Sequence, residues 1–185
     1  MKKCYGILLL VALPLLSAPV MAQPPALPSV GIYFDAEGTQ VTGTFNGGVD
    51  ETYTAYVVCF FEAFVAGASY SLEVDPRLTL INVQYPLPGI QIGHPTDGCG
   101  VEIGLTDFQF GFYHTPVVFS VLTLFGGDQI IYNGLICVRP HCHYDAVVVA
   151  DSEAQLYAAC AGCGFLTIPV GTETNTWGMV KHLYE

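Results

Sequence analysis

The chain has 185 residues, of which 16 are acidic and 5 are basic, so its formal net charge is −11. Such an acidic chain repels phosphate backbones, which argues against nucleic acid as a partner. The length suits one domain with a sizeable core rather than several small ones.

Residues 1–22 have the pattern of a cleavable export signal. Lys2 and Lys3 give a positive start, an apolar run covers residues 7–20, and Ala22 puts a small residue before the expected cleavage point. Two prolines interrupt the run, which disfavours a membrane anchor. We therefore expect a secreted bacterial protein, extracellular or periplasmic, with no membrane span in its mature chain.

Composition divides the remaining chain into three parts. Residues 23–29 form a Pro-rich lead-in that we expect to be extended. Residues 30–171 hold the regular patterns of a single domain, and residues 172–185 form a C-terminal tail. We find no internal repeat and no second domain boundary.

The first half of the domain shows short β-favouring runs separated by turn residues. A Gly67-Ala68 pair separates two of these runs, and residues 86–100 are dense in Pro and Gly. We expect a long loop there, with a brief extended piece at residues 90–92. The predicted strands cover residues 30–34, 41–45, 52–61, 69–74 and 78–85.

The second half continues this pattern with one candidate helix. Residues 151–160 (DSEAQLYAAC) could form a short helix capped by Asp151 or Ser152. Predicted strands cover residues 101–105, 108–112, 116–125, 129–132, 135–138, 146–150 and 165–170. Many short strands at this spacing predict an all-β fold, a β-sandwich or barrel, with at most one short helix.

Several stretches resemble cohesin-like and related immunoglobulin-like modules of secreted bacterial proteins. GIYFDAEGT at residues 31–39 is similar to their first strand, and TAYVV, SYSLEV and LTLINVQYP follow in a similar order before a Gly-rich loop. The tail TWGMVKHLYE at residues 176–185 is similar to a tail found in such modules. The resemblance implies an antiparallel sandwich with a non-catalytic extracellular role, and it transfers no catalytic residue.

The cysteines predict disulfide bonds. An even number of cysteines in an exported chain favours oxidation, and each bridge typically contributes about 2–4 kcal/mol. The pairing is open, since six cysteines allow 15 complete pairings. The candidates in the mature chain are Cys59, Cys99, Cys137, Cys142, Cys160 and Cys163.

Zinc is the alternative use of the same region. Thiolates and imidazoles bind zinc tetrahedrally, and a Cys-x-x-Cys pair is a common half-site. On a strand, however, residues 141 and 143 would face one side and residue 142 the other. The alternative zinc ligands are His141, Cys142, His143, Cys160 and Cys163.

Two further kinds of site have weaker patterns. Calcium could bind carboxylates near turns, for example Asp97 with Asp107, but no EF-hand-like run occurs. A hydrolase could use Ser120, His114 and Asp107, but no nucleophile-elbow motif occurs. The sequence therefore indicates a non-enzyme, with a cryptic hydrolase as a remote alternative.

The function that this pattern favours is a secreted structural or binding module at the cell surface, stabilised by disulfides. Its partner would be an extracellular protein or a glycan, bound by loops or by an exposed sheet edge. Self-assembly by edge pairing is a further expectation, with the Pro-rich lead-in as the donated strand. No cofactor is expected, apart from zinc or calcium in the alternatives above.

Overall fold

The structure is a computed structural model that describes residues 27–44, 51–110, 115–126 and 133–167. The expected signal at residues 1–22, most of the lead-in, the strand expected at residues 129–132 and the tail at residues 172–185 lie outside the described residues. In the described part of the chain, no helix is long and apolar enough to cross a membrane.

The described residues form twelve strands and no helix. This confirms the all-β prediction. The strands are β1 (Ser29–Tyr33), β2 (Thr42–Thr44), β3 (Thr52–Phe60), β4 (Phe64–Val74), β5 (Thr79–Gln84), β6 (Gly89–His94), β7 (Gly100–Phe110), β8 (Val117–Phe125), β9 (Gly134–Arg139), β10 (Val147–Asp151), β11 (Leu156–Ala161) and β12 (Cys163–Thr167).

The strands form the two layers of a sandwich. One layer has the order β6-β7-β4-β10-β11, and β9, β12 and β2 extend it beyond the C-terminal half of β4. The other layer has the order β11-β1-β3-β8-β5, so β11 belongs to both. Among the twelve described strands, all pairs are antiparallel except β1 with β11 and β2 with β12.

The core lies between the layers because alternate residues of each strand face inward. Tyr70 of β4 and Phe119 of β8 are among the largest fully buried side chains. The Tyr70 hydroxyl lies 2.9 Å from the Ser120 hydroxyl of β8, which satisfies two buried polar groups across the layers. This bond ties the two layers together at the centre of the domain.

Two successive strands pair with the same edge of β4. β10 pairs with its N-terminal part, where Val148 lies opposite Ser69, and β9 pairs with its C-terminal part, where Arg139 lies opposite Ser71. Only one β4 residue separates these two positions, whereas eight residues separate Arg139 from Val148 on the other side. The chain at residues 140–146 therefore leaves the sheet as a protruding loop, which we call the 140–146 loop.

The helix predicted at residues 151–160 is wrong, because the Asp151 side chain closes a turn instead. Its carboxylate accepts hydrogen bonds from the N–H groups of Glu153 and Gln155 and from the Tyr157 hydroxyl. Ala154 adopts a left-handed conformation with φ 59°. The chain thereby reverses, and residues 156–161 pair as strand β11 with β10.

Two predicted interruptions are also wrong, and the extended piece expected at residues 90–92 is longer than predicted. Gly67-Ala68 lies inside β4, where a Cβ on Gly67 would come within 2.3 Å of the Ile103 carbonyl oxygen of β7. Glycine there permits close approach of two strands rather than a turn. Residues 101–112 contain one strand through Phe110, and residues 89–94 form strand β6 within the expected long loop.

Candidate functional site

The outer face of the β6-β7-β4-β10-β11 layer carries an apolar surface. Strand register aligns one row of residues across all five strands: Ile90, Gly104, Gly67, Ala150 and Leu156. Cross-strand partners share a face of the sheet. The row has large aliphatic side chains at its two ends and small residues in its middle, which makes a shallow, flat centre.

A second row lies beside the first. It contains Ile92, Glu102, Ser69, Val148 and Ala158, in the same strand order. Together the two rows are called the apolar face below, and Glu102 is the only charged residue in them. In the intervening row, Ile103, Ala68 and Val149 face the core and are buried.

The large side chains of the apolar face are exposed. Ile90, Ile92 and Leu156 are 67%, 64% and 61% exposed, so the β6 and β11 sides of the face contact solvent. Between them, a shallow depression of about 180 Å³ has Tyr144 of the 140–146 loop on its border. Solitary exposed apolar residues are ordinary, whereas an aligned set indicates an interaction surface.

The floor of the depression contains an unsatisfied polar atom. Ser69 is buried, and its hydroxyl has no hydrogen-bond partner within the described part of the chain. A buried hydroxyl without a partner is destabilising. A partner group reaching the floor could satisfy it.

A second group of functional side chains lies where the 140–146 loop meets the start of β7. One donor atom from each of Cys99, His141, Cys142 and His143 lies within 4.8 Å of the others. Cys99 and Cys142 form a disulfide, and the Cys142 N–H donates to the Cys99 carbonyl at 2.9 Å. We call these four residues the Cys/His cluster.

The histidines of this cluster differ in exposure. His141 is buried, and His143 is exposed. Their rings lie 5.0 Å apart, and the His143 N–H donates a hydrogen bond of 3.3 Å to His141 Nδ1. Because residues 141–144 form a turn, closed by the Tyr144 N–H to the His141 carbonyl at 2.9 Å, Cys142 does not point away from both histidines as it would on a strand.

The structure divides the six candidate cysteines into three groups. Cys137 of β9 and Cys163 of β12 form the second disulfide. Cys59 is free and buried, and Cys160 is free and exposed. The third bridge is not formed, because Cys59 and Cys160 lie on strands either side of β1, about 9–10 Å apart at the usual strand spacing.

The predicted zinc ligands are only partly brought together. His141, Cys142 and His143 meet, but Cys163 is bonded to Cys137, and Cys160 lies on β11 outside the cluster. Cys99 takes part instead, and the sequence interpretation omitted it. A Cys-x-x-Cys spacing suggested Cys160 and Cys163, whereas the chain topology selects a cysteine 43 positions before Cys142.

The remaining candidate residues are far apart or bound to their own surroundings. Ser120 is fully buried and bonded to Tyr70, His114 lies outside the described residues, and Asp107 is exposed. Asp97 and Asp107 lie near opposite ends of β7, roughly 20 Å apart at about 3.3 Å per residue. The described geometry therefore assembles neither a hydrolase triad nor the expected calcium pair.

The apolar face was missed by the sequence interpretation. The alternation Ile90-Gln91-Ile92 was the available signal, but the surrounding Pro and Gly residues favoured a loop. The remaining members become neighbours only through pairing between strands that are distant in sequence. Burial raises the pKa of the free Cys59 thiol to about 12.

Comparison with known proteins gives similarity at the level of structure. No protein-family model matches the chain, and comparison with curated proteins finds no similar sequence. The sixth cohesin of Acetivibrio cellulolyticus scaffoldin B, crystallised with a Cel5 dockerin mutant, is 14% identical with a TM-score of 0.50, covering 78% of this chain and 100% of that one.

A type I cohesin from Clostridium thermocellum, in a cohesin–dockerin complex, is 11% identical with a TM-score of 0.51. The similarity again covers 78% of this chain and 100% of the cohesin. Sequence identities this low support a comparison of the folds but not of the activities. The protein therefore has the cohesin-like β-sandwich fold that its sequence pattern resembles.

Proposed function

We propose that this chain is a secreted, non-catalytic module that binds a protein partner at the cell surface through its apolar face. The observation that carries the proposal is the aligned, exposed set of Ile90, Ile92 and Leu156 around a flat centre. The two cohesins compared above were crystallised with dockerins, which supports a protein as the class of partner.

The chemistry of the face specifies the partner further. The chain is strongly acidic, and Glu102 lies among the apolar residues with its side chain 38% exposed. A complementary surface would present aliphatic or aromatic side chains and a Lys or Arg directed at Glu102, because complementary charges favour encounter and orientation. We therefore expect a folded domain with an apolar patch and a basic rim.

A protein fits this face better than a glycan does. A sugar presents many hydroxyl groups, and burying them without hydrogen-bond partners is costly. The two rows offer polar side chains only at Ser69 and Glu102. The apolar side chains instead match the composition of an interface core between proteins.

The experiment uses Gly104, because it lies at the centre of the face and a Cβ there would meet no atom within 4 Å. Gly104→Arg places a long charged side chain on the face without a clash inside the fold. Thr54→Arg, at an exposed position of β3 in the opposite layer, is the matched control. Both variants and the wild-type mature chain are used to capture proteins from the envelope and culture medium of the producing cells.

A captured protein is then purified and titrated against the three forms by calorimetry. We expect Gly104→Arg to weaken binding at least tenfold, Thr54→Arg to leave it unchanged, and the wild-type complex to show the negative heat-capacity change of apolar burial. Equal binding by all three forms would reject the apolar face as the interface. Substrate turnover by the purified chain would reject the non-catalytic role.

A further inference from the structure

We infer that the Cys/His cluster is a zinc site when Cys99 and Cys142 are thiols, and that the disulfide and the zinc complex are alternative states of the same four residues. Two thiolates and two imidazoles form one of the standard ligand sets of structural zinc. This inference is independent of the partner proposed above.

The donor geometry is close to what zinc needs. Zinc–sulfur bonds of about 2.3 Å and zinc–nitrogen bonds of about 2.0–2.1 Å put tetrahedral ligands roughly 3.3–3.8 Å apart. One donor atom of each cluster residue already lies within 4.8 Å of the other three. Once the disulfide is opened, its two sulfurs must separate to about 3.7 Å, and donor pairs that are farther apart than this must close from at most 4.8 Å.

Backbone contacts hold the two ligand-bearing segments together independently of the disulfide. The Cys142 N–H donates to the Cys99 carbonyl, and Ser71 Oγ of β4 donates to the Pro140 carbonyl at 2.8 Å. The Asp97 carbonyl accepts from the Gly100 N–H and the Cys99 N–H, which closes the turn before β7. A preformed arrangement lowers the ordering cost of binding an ion.

The surroundings suit a cation. The Glu102 carboxylate lies 4.0 Å from Nδ1 of the buried His141, so a negative charge stands beside the cluster. The chain as a whole carries a net charge of −11. The site also lies next to the apolar face, because Glu102 of that face lies beside His141.

The two states interconvert by oxidation of the two thiols. Zinc binding to the thiol form releases one proton from each of Cys99 and Cys142. A small-molecule disulfide can then oxidise the two thiolates: the Cys99–Cys142 bond forms, two electrons reduce the oxidant, and the oxidant takes up two protons and leaves as two thiols. The zinc ion returns to solution, because a disulfide sulfur is no longer a thiolate ligand.

The test titrates zinc into the mature chain after reduction with a phosphine, which becomes a phosphine oxide. Affinity and stoichiometry come from competition with a chromogenic chelator, and cobalt replaces zinc for visible spectroscopy. We expect one zinc per chain in the reduced protein and at least a hundredfold weaker binding after reoxidation. Cobalt should show the intense visible bands of a tetrahedral thiolate site.

Single variants identify the ligands. His141→Ala and His143→Ala should each weaken zinc binding at least tenfold, whereas His94→Ala, at an exposed histidine near the same turn, should not. Since His143 is exposed, its replacement tests the site even if His141→Ala unfolds. Cys137→Ser/Cys163→Ser should bind zinc normally, which excludes the other pair of thiols.

Two results would overturn the inference. One is a reduced chain that does not retain stoichiometric zinc against the chelator. The other is binding that His141→Ala and His143→Ala leave unchanged, or that Cys137→Ser/Cys163→Ser abolishes, since either would place the ion elsewhere.

Discussion

The two disulfides of this domain lie in different structural settings. Cys137 and Cys163 are directly opposite each other in the ladder of β9 and β12, with Cα atoms 4.1 Å apart. Cys99 and Cys142 join the turn before β7 to the 140–146 loop, with Cα atoms 4.5 Å apart. The Cys137–Cys163 bond, which we call the ladder bridge, lies within regular sheet. The Cys99–Cys142 bond, which we call the loop bridge, lies between two irregular segments.

The difference shows how setting determines chemistry. In the ladder, the sheet itself fixes both backbones, and Cys137 is 1% exposed. At the loops, Cys142 is exposed and lies between two histidines, so the sulfurs have other donors and solvent beside them. The ladder bridge is therefore purely structural, whereas the loop bridge has the surroundings of a reactive or metal-binding pair.

The largest expected effect comes from removing each bridge. In the chain-entropy account, separations of 43 and 26 residues correspond to about 4.0 and about 3.5 kcal/mol. We expect Cys99→Ala/Cys142→Ala and Cys137→Ala/Cys163→Ala to lower the free energy of unfolding by these amounts, measured by urea denaturation without reductant.

Two results would contradict this account of the two disulfides. A loss below about 1 kcal/mol for the loop pair would mean that backbone hydrogen bonds alone hold the 140–146 loop, since a typical bridge contributes more. A thiol count above two in the unfolded, unreduced mature chain, which lacks Cys4, would contradict the assignment of Cys59 and Cys160 as the free cysteines.

Local sequence patterns were sufficient to predict where most strands lie, but not their full lengths or the turns between them. The runs at residues 52–61 and 116–125 became β3 and β8 because their β-branched and aromatic residues bury one face. β4 is longer than predicted because Gly67 pairs with Gly104 of β7. β7 is longer because its residues 109 and 110 pair with the start of β4, and no window of sequence shows either pairing. Asp151 has the residue type of a helix cap, but its carboxylate closes a hairpin turn.

Only part of the Cys/His cluster was predicted, again because local sequence patterns do not show which strands pair. His141, Cys142 and His143 are adjacent in sequence, so their proximity needed no fold. Cys99 joins them only because β7 starts beside the excursion between β9 and β10. Ligands that come together through sheet topology cannot be assigned by spacing alone.

An intermediate effect should distinguish two glycines of β7. Gly100, next to Cys99, has φ 109°, and a Cβ there would lie 2.5 Å from the Tyr70 carbonyl and 3.0 Å from the His141 ring. Gly100→Ala should therefore cost about 1–3 kcal/mol of stability and displace the loop bridge. Gly104→Ala, which meets no neighbour, should be neutral or stabilise by several tenths of a kcal/mol.

Thermal or urea unfolding of the two variants measures this difference. Phosphine reduction under native conditions adds a local readout, since Gly100→Ala should speed opening of the loop bridge and leave the ladder bridge unaffected. Equal stability of the two variants would show that the start of β7 adapts without strain.

The smallest expected effect concerns the turn that follows β4, beside the ladder bridge. Asp75 accepts hydrogen bonds from Arg77 Nε at 2.9 Å and Nη2 at 2.6 Å, and its own N–H donates to the Leu135 carbonyl of β9. The Arg77 guanidinium lowers the pKa of the Asp75 carboxyl from 3.8 to about 2. The carboxylate is therefore favoured in the folded state.

A lowered pKa in the folded state gives stability that is present above the ordinary pKa, near pH 4, and is lost as the pH falls toward 2. Asp75→Asn should lower the free energy of unfolding at pH 7 by less than about 1 kcal/mol, because the ion pair is partly exposed. Its difference from wild type should disappear as the pH approaches 2, and Arg77→Gln should follow the same curve. Urea unfolding from pH 7 to pH 2 measures both. A difference that stays constant with pH would show that the Asp75 side chain stabilises the turn by its shape rather than by its charge.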